Sequence, residues 1–191
     1  LVFAAYSTGD YRAYDINTGS EVWQDYMISQ FQDDTIGNLL HVYASQVISG
    51  EHVFTLGHGG RLTANHITSG DRAWSVTFSG LHTPAIIGEY LYVTDDNACL
   101  YCINKETGKV RWSTSLPENE DQRKPVNWTN PIIADRAVLL VTEHGHIVFF
   151  DAGSGKIIRK IESLVKNPTS AVVVNKVLYV LSNQGYLYAF G

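Results

Sequence analysis

Apolar and polar residues alternate along this chain in runs of about five, too short for the three-to-four spacing of a long amphipathic helix. The clearest stretch reads Thr83-Pro84-Ala85-Ile86-Ile87, Tyr90-Leu91-Tyr92-Val93-Thr94, Cys99-Leu100-Tyr101-Cys102-Ile103 and Val110-Arg111-Trp112-Ser113-Thr114. Gly88-Glu89, Asp95-Asp96-Asn97 and Glu106-Thr107-Gly108-Lys109 separate the runs. Gly and Asn take positive φ at little cost, and Asp or Thr side chains bond the neighbouring backbone, so the pattern predicts four strands joined by hairpin turns.

The unit recurs. Asn17-Thr18-Gly19-Ser20-Glu21-Val22-Trp23, Thr68-Ser69-Gly70-Asp71-Arg72-Ala73-Trp74 and Glu106-Thr107-Gly108-Lys109-Val110-Arg111-Trp112 rhyme, and Gly153-Ser154-Gly155-Lys156-Ile157-Ile158-Arg159 is a weaker copy in which Arg159 replaces the tryptophan. The turn glycines fall 51 (19 to 70), 38 (70 to 108) and 47 (108 to 155) residues apart, close to the ~40 to 50 residues of one propeller blade. A four-stranded unit cannot bury both faces alone and needs stacked neighbours. The expected fold is all-β, a partial β-propeller with three complete and two incomplete blades of a probable eight. The blades span about 1–27 (partial), 41–79, 82–117, 129–165 and 169–191 (partial). The first unit begins at what corresponds to a second strand, and the last stops after its third. The carboxyl end is therefore expected to be genuine and the amino end cut from something longer. Insertions fall between blades, at Ile28 to Leu40 and Pro117 to Trp128, where loops are free to make contacts.

Composition narrows the function. The 191 residues are 45% hydrophobic, ample for a core, and carry a net charge of -5. Lys and Arg are scattered singly, which argues against nucleic acid. No run of about 18 apolar residues exists and Leu1 to Tyr6 reads as a strand, so neither a membrane span nor a signal peptide is expected. Cys99 and Cys102, three apart in a strand, point to opposite faces about 10 Å apart, beyond the ~7 Å reach of a disulfide, and are expected to pack as small half-buried hydrophobes. Trp23, Trp74 and Trp112 recur four residues after a turn glycine and are expected to pack between blades. Trp128 falls outside the pattern, in a loop, and either is a candidate partner contact at the surface or folds back on its loop. Seven histidines are spread along the chain. His144 and His146 flank a turn glycine, and no metal site is expected. No nucleophile elbow, zinc-binding helix motif or phosphate loop appears, and nothing nominates a catalytic set.

The segment Leu100-Tyr101-Cys102-Ile103-Asn104-Lys105-Glu106-Thr107-Gly108-Lys109-Val110-Arg111-Trp112 resembles the repeat of quinoprotein-like propellers. From about Ser45 to Gly191 the chain resembles the carboxyl-terminal half of the BamB family, propeller lipoproteins of the outer-membrane protein assembly machine. The carrying residues include Gly60 to Ala64, Gly88 to Thr94, Val110 to Pro117, Asn127 to Ile132 and Val177 to Phe190. That resemblance implies an eight-bladed disk and a scaffold that catalyses no reaction and holds no cofactor. It implies docking on the periplasmic domains of BamA, reception of unfolded outer-membrane proteins, and a position on the periplasmic face of the outer membrane through an amino-terminal lipid anchor missing here. The family's partner loop maps onto Asn38-Leu39-Leu40-His41-Val42, which nominates Leu39, Leu40, His41 and Val42. Here the pattern departs, with His41 where an acidic residue is typical and Gln46 where proline is usual. The alternative is a fragment of a quinone-dependent dehydrogenase. Such an enzyme needs calcium, a carboxylate base and a stacking platform, and no complete set is evident in the sequence.

Overall fold

In a computed structural model, residues 1–27, 46–57, 60–117 and 126–191 are described, and every regular element among them is a β-strand. Among the described residues eighteen strands form five antiparallel sheets, each a simple meander. The first sheet holds β1 (Val2–Ala5), β2 (Asp10–Tyr14) and β3 (Glu21–Tyr26). The second holds β4 (Val47–Ser49), β5 (His52–Leu56), β6 (Arg61–His66) and β7 (Arg72–Thr77). The third holds β8 (Ala85–Ile87), β9 (Tyr90–Thr94), β10 (Cys99–Asn104) and β11 (Val110–Ser115). The fourth holds β12 (Ile132–Ala134), β13 (Ala137–Val141), β14 (His146–Asp151) and β15 (Ile157–Glu162). The last holds β16 (Pro168–Val174), β17 (Val177–Ser182) and β18 (Leu187–Phe190). Pro84 and Pro131 stand just before β8 and β12, where a missing N–H costs no ladder bond.

Burial follows strand position. The second strands β5 and β13 are buried along their whole length, whereas the outer strands β11 and β15 are largely exposed. Val, Leu and Phe therefore run continuously through the interior strands, and alternation returns at the edges.

Turn chemistry repeats as closely as the strands. In the hairpin between third and fourth strands, Asp15, Asn104 and Asp151 each accept backbone N–H groups two or three residues on, at 2.8 to 3.1 Å. This Asx geometry closes the turn. The ladder slips by one residue beside these three turns and beside the corresponding His66 turn, between Ala13 and Tyr14, Ala64 and Asn65, Cys102 and Ile103, and Phe149 and Phe150. Such a bulge increases the local twist and re-aims the outer strand.

The chain forms two compact units, one of Leu1–Pro84 with Asn104–Lys109 and one of Ala85–Ile103 with Val110–Gly191. In the first, Tyr11, Ala13, Trp23, Met27 and Val53 form a buried cluster. In the second, one cluster gathers Tyr92, Leu100, Cys102, Leu140, Val148 and Phe150, and another gathers Leu139, Val141, Ile147, Leu178 and Val180. Cys102 is fully buried rather than half-buried, because its strand lies inside the blade, while Cys99 is intermediate, and both thiols are free. Burial raises the Cys102 thiol above its ordinary value.

Candidate interaction surface

Three of the four outer strands that follow a Thr-Gly-type turn carry an indole, and each indole lies on the turn glycine of the following repeat. A Cβ at Gly70 would stand 2.7 Å from the Trp23 ring, one at Gly108 would stand 2.8 Å from Trp74, and one at Gly155 would stand 2.6 Å from Trp112. Each indole N–H also donates to the carbonyl three residues before that glycine, from Trp23 to Ile67 at 2.8 Å, from Trp74 to Lys105 at 2.8 Å and from Trp112 to Ala152 at 3.2 Å. A side chain at the glycine would collide with the ring, and only glycine holds φ near +70° there without strain. These tryptophans are packing residues with their polar end satisfied.

Arg159 occupies the fourth such position. Its guanidinium carbon sits 5.8 Å from the Phe149 ring centroid, and beside it opens a cavity of about 550 Å³ lined by Leu139, Phe149, Ile161, Val173, Leu178 and Phe190.

The segment that carries Leu39, Leu40, His41 and Val42 lies outside the described residues, but both its flanks are fixed. On the amino side, Met27 is buried beneath Gly57, and Asp25 sits in a dense polar network. Arg72 grips the Asp25 carboxylate with two nitrogens at 2.6 and 3.1 Å and donates to the Tyr26 carbonyl at 2.9 Å. The Tyr11 hydroxyl and the Asn65 amide donate to Asp25 at 2.6 and 2.7 Å. Asn65 also ties the Gly70 carbonyl at 2.9 Å, beside the Trp23 seat. Burial alone would raise the Asp25 carboxyl, but the bonds from Tyr11, Arg72 and Asn65 outweigh it and hold it below the usual carboxylate value. Burial and the adjacent carboxylate push Tyr11 well above its ordinary value. On the carboxyl side, Gln46 donates to the Thr55 hydroxyl at 3.0 Å.

Of the two readings of Trp128, the structure shows the inward one. The residue is 8% exposed and belongs to the cluster around Leu116, Val138 and Leu140, because its backbone bridges Thr142 and draws the ring inward. Its indole N–H is buried without a partner. Among the described residues the histidines do not converge on one point. His52 and His66 stack across β5 and β6 at 4.7 Å, with the Glu106 carboxylate 3.7 Å from His52. His144 and His146 flank Gly145, whose φ of 88° closes the β13–β14 turn. Among the described residues no group of three or more His, Cys, Asp or Glu side chains is placed to hold a metal ion.

One broad apolar surface remains. Pairing of Ser170 with Leu181, Val172 with Tyr179 and Leu181 with Leu187 puts these residues on one face of β16–β18. Val172, Val174, Leu181 and Leu187 are exposed there. The opposite face, with Val173, Leu178, Val180 and Phe190, packs on the fourth sheet.

Sequence reasoning missed the Asp25 network, whose partners lie 14 to 47 residues away with nothing local to pair them. One weak signal was present: Tyr11 is an aromatic bearing a polar tip within an expected strand.

Residues 1–114 match the family model described as outer membrane protein assembly factor BamB. A curated BamB of Legionella pneumophila strain Paris is 24% identical over 188 residues, covering 98% of this chain and 47% of that protein. BamB of Yersinia pestis is 22% identical, with coverages of 98% and 51%. The chain thus spans about half the length of these relatives. Among solved structures, BamB from Moraxella catarrhalis superposes with a TM-score of 0.80 at 19% identity, over 98% of this chain and 53% of that one. A europium-containing methanol dehydrogenase superposes with a TM-score of 0.66 at 12% identity, over 94% and 50%. These likenesses show the fold as that of a partial β-propeller.

Proposed function

Because this chain belongs to the family of outer membrane protein assembly factor BamB, we propose that it forms part of a binding scaffold in the assembly of outer-membrane β-barrel proteins. The family match over residues 1–114 carries this reading. The scaffold works at the periplasmic face of the outer membrane, held by a lipid anchor outside these residues, and carries out no reaction. It docks on the periplasmic domains of BamA and helps deliver unfolded barrel precursors. Leu39, Leu40, His41 and Val42 contribute to that docking. The segment bearing them runs between two fixed points, the Asp25 network with Met27 and the Gln46–Thr55 bond. A fixed scaffold limits the entropy that its contact segments lose on binding.

The test is co-purification of the full-length protein with the BamA periplasmic domains. Wild type is expected to be retained, and Leu40→Ala and His41→Ala are expected to weaken retention by about tenfold, the size of a moderate contact residue. Absence of any complex with the intact protein would refute the docking. Titration with a quinone and calcium checks the scaffold reading separately, since a redox-active absorbance band would assign the propeller to enzymatic chemistry instead.

A further inference from the structure

Two departures from the repeat meet in the second sheet. Asp15, Asn104 and Asp151 close their turns with a side-chain acceptor, but the matching residue of the second repeat is His66, which gives that acceptor up. His52 lies directly across the β5–β6 ladder from it, where the fourth sheet pairs Ala137 with Asp151. Residues opposite one another on an antiparallel ladder share a face, and the two imidazole rings lie 4.7 Å apart at 39°. Phe54, two residues along that face from His52, packs on Trp74, whose ring covers Gly108. The imidazoles therefore look toward the 104–109 turn, and this turn supplies a carboxylate, with Glu106 Oε2 3.7 Å from His52 Nδ1. The His52 side chain is 10% exposed and that of Glu106 49% exposed, so the group lies at the edge of the interior, within reach of a small ion.

These parts match the needs of a metal chelate. Two nitrogen donors about 2.0–2.1 Å from one ion stand no more than about 4.2 Å apart. Rings at this spacing reach that separation by turning about χ2, which is soft in histidine. A carboxylate facing Nδ1 favours the tautomer in which Nε2 carries the lone pair, and it is the usual outer partner of a ligating imidazole. Imidazole nitrogen suits zinc, copper and nickel, whereas calcium and magnesium take oxygen. Lys105 sends its ammonium to the Ser49 hydroxyl at 3.4 Å, and Ser49 pairs with His52, so one cation already stands near. Its charge opposes a second cation and makes the site weaker than a four-ligand structural one.

We propose that His52 and His66 chelate a divalent transition-metal ion of the zinc, nickel and copper class, with Glu106 orienting His52 from the neighbouring turn. Water completes the coordination. The ion ties β5 to β6 beside the turn that lacks an Asx bond and, through Glu106, ties both to the 104–109 turn. The docking on BamA is independent of this site, and either stands if the other fails.

The probe is zinc chloride, titrated calorimetrically into the chain, with copper(II) and electron paramagnetic resonance to identify the ligands. One zinc ion per chain is expected to bind saturably, calcium chloride should not compete, and the copper spectrum should show coupling to two imidazole nitrogens. His66→Asn, which places at this turn the residue found at Asn104, should keep the fold and lose the zinc step. His52→Tyr, which matches Tyr90 at the start of β9, should do the same. Glu106→Gln should weaken zinc binding about tenfold, the loss expected when a ligating imidazole is deprived of its carboxylate. His144→Asn, on the β13–β14 turn, should bind as wild type. Zinc should raise the unfolding midpoint of the wild type and leave that of His66→Asn unmoved. Absence of a saturable zinc step, a copper spectrum with a single nitrogen, or undiminished zinc binding by His66→Asn and His52→Tyr would overturn the proposal. The last result would show that other histidines take the ion and that this pair only packs. Unchanged binding by Glu106→Gln would remove Glu106 from the site.

Discussion

Single residues in this protein are constrained by what touches them more than by their type. Gly155 and Gly50 both hold positive φ, but a methyl at Gly155 would meet the Thr114 hydroxyl and the Trp112 ring at 2.6 Å, and one at Gly50 would meet nothing. Gly155→Ala is expected to cost about 2–4 kcal/mol, overpacking added to backbone strain, and Gly50→Ala only about 1–2 kcal/mol from strain. Urea unfolding midpoints at constant slope would show the difference. Asp25 is the corresponding case among charged residues. Its carboxyl is depressed in the folded state, so it contributes stability that is fully present above the unfolded value near ~3.9 and is lost as pH falls through the folded one. Asp25→Asn, which removes the charged partner of Arg72, is expected to lower stability at pH 7 by about 1.5–3 kcal/mol and to flatten the decline below about pH 4, read from chemical unfolding across the acid range.

At the level of elements, the repeated hairpin is a device of three parts: an Asx residue that closes the turn, a glycine that admits the neighbouring ring, and a bulge that turns the outer strand toward its own seat. Asn104 accepts both the Glu106 and Thr107 N–H groups, at 3.1 and 2.9 Å. Asn104→Ala should therefore destabilise by about 1 kcal/mol, whereas Asn104→Asp, which keeps the acceptor and matches Asp15 and Asp151, should be close to neutral. Thermal unfolding of the two variants side by side would check this. His66 stands at the equivalent place in the second sheet without an Asx acceptor, and its ring stacks on His52 instead. The strands and turns were legible in the sequence because period-two alternation and the Gly, Asn and Asp punctuation are local signals. The strand expected from Thr83 starts only at Ala85 as β8, because Pro84 has no N–H to give the ladder.

For the whole molecule, the exposed face of β16–β18 matters most. Four large apolar side chains at Val172, Val174, Leu181 and Leu187 form a surface of the kind that associates. The double variant Val172→Lys with Leu187→Lys is expected to reduce concentration-dependent association of the chain, measured by sedimentation velocity, without lowering stability by more than about 1 kcal/mol, since both positions are already exposed. No loss of association would show that this face is not the adhesive one. The candidate site was less legible than the fold. Trp128 stood out from the repeat and so looked available for a partner, but a backbone bridge to Thr142 carries it into the core.

The sequence by itself determined the repeat, the all-β class, the hairpin turns and the family, because each of these is written in short spacings and in residues with distinctive backbone preferences. Tertiary structure alone decided which glycines carry an indole, which carboxylate is locked by Arg72, and which tryptophan is core. Those outcomes depend on contacts between residues tens of positions apart, where no local pattern records the partner, and a ring's role is set by the surface it meets.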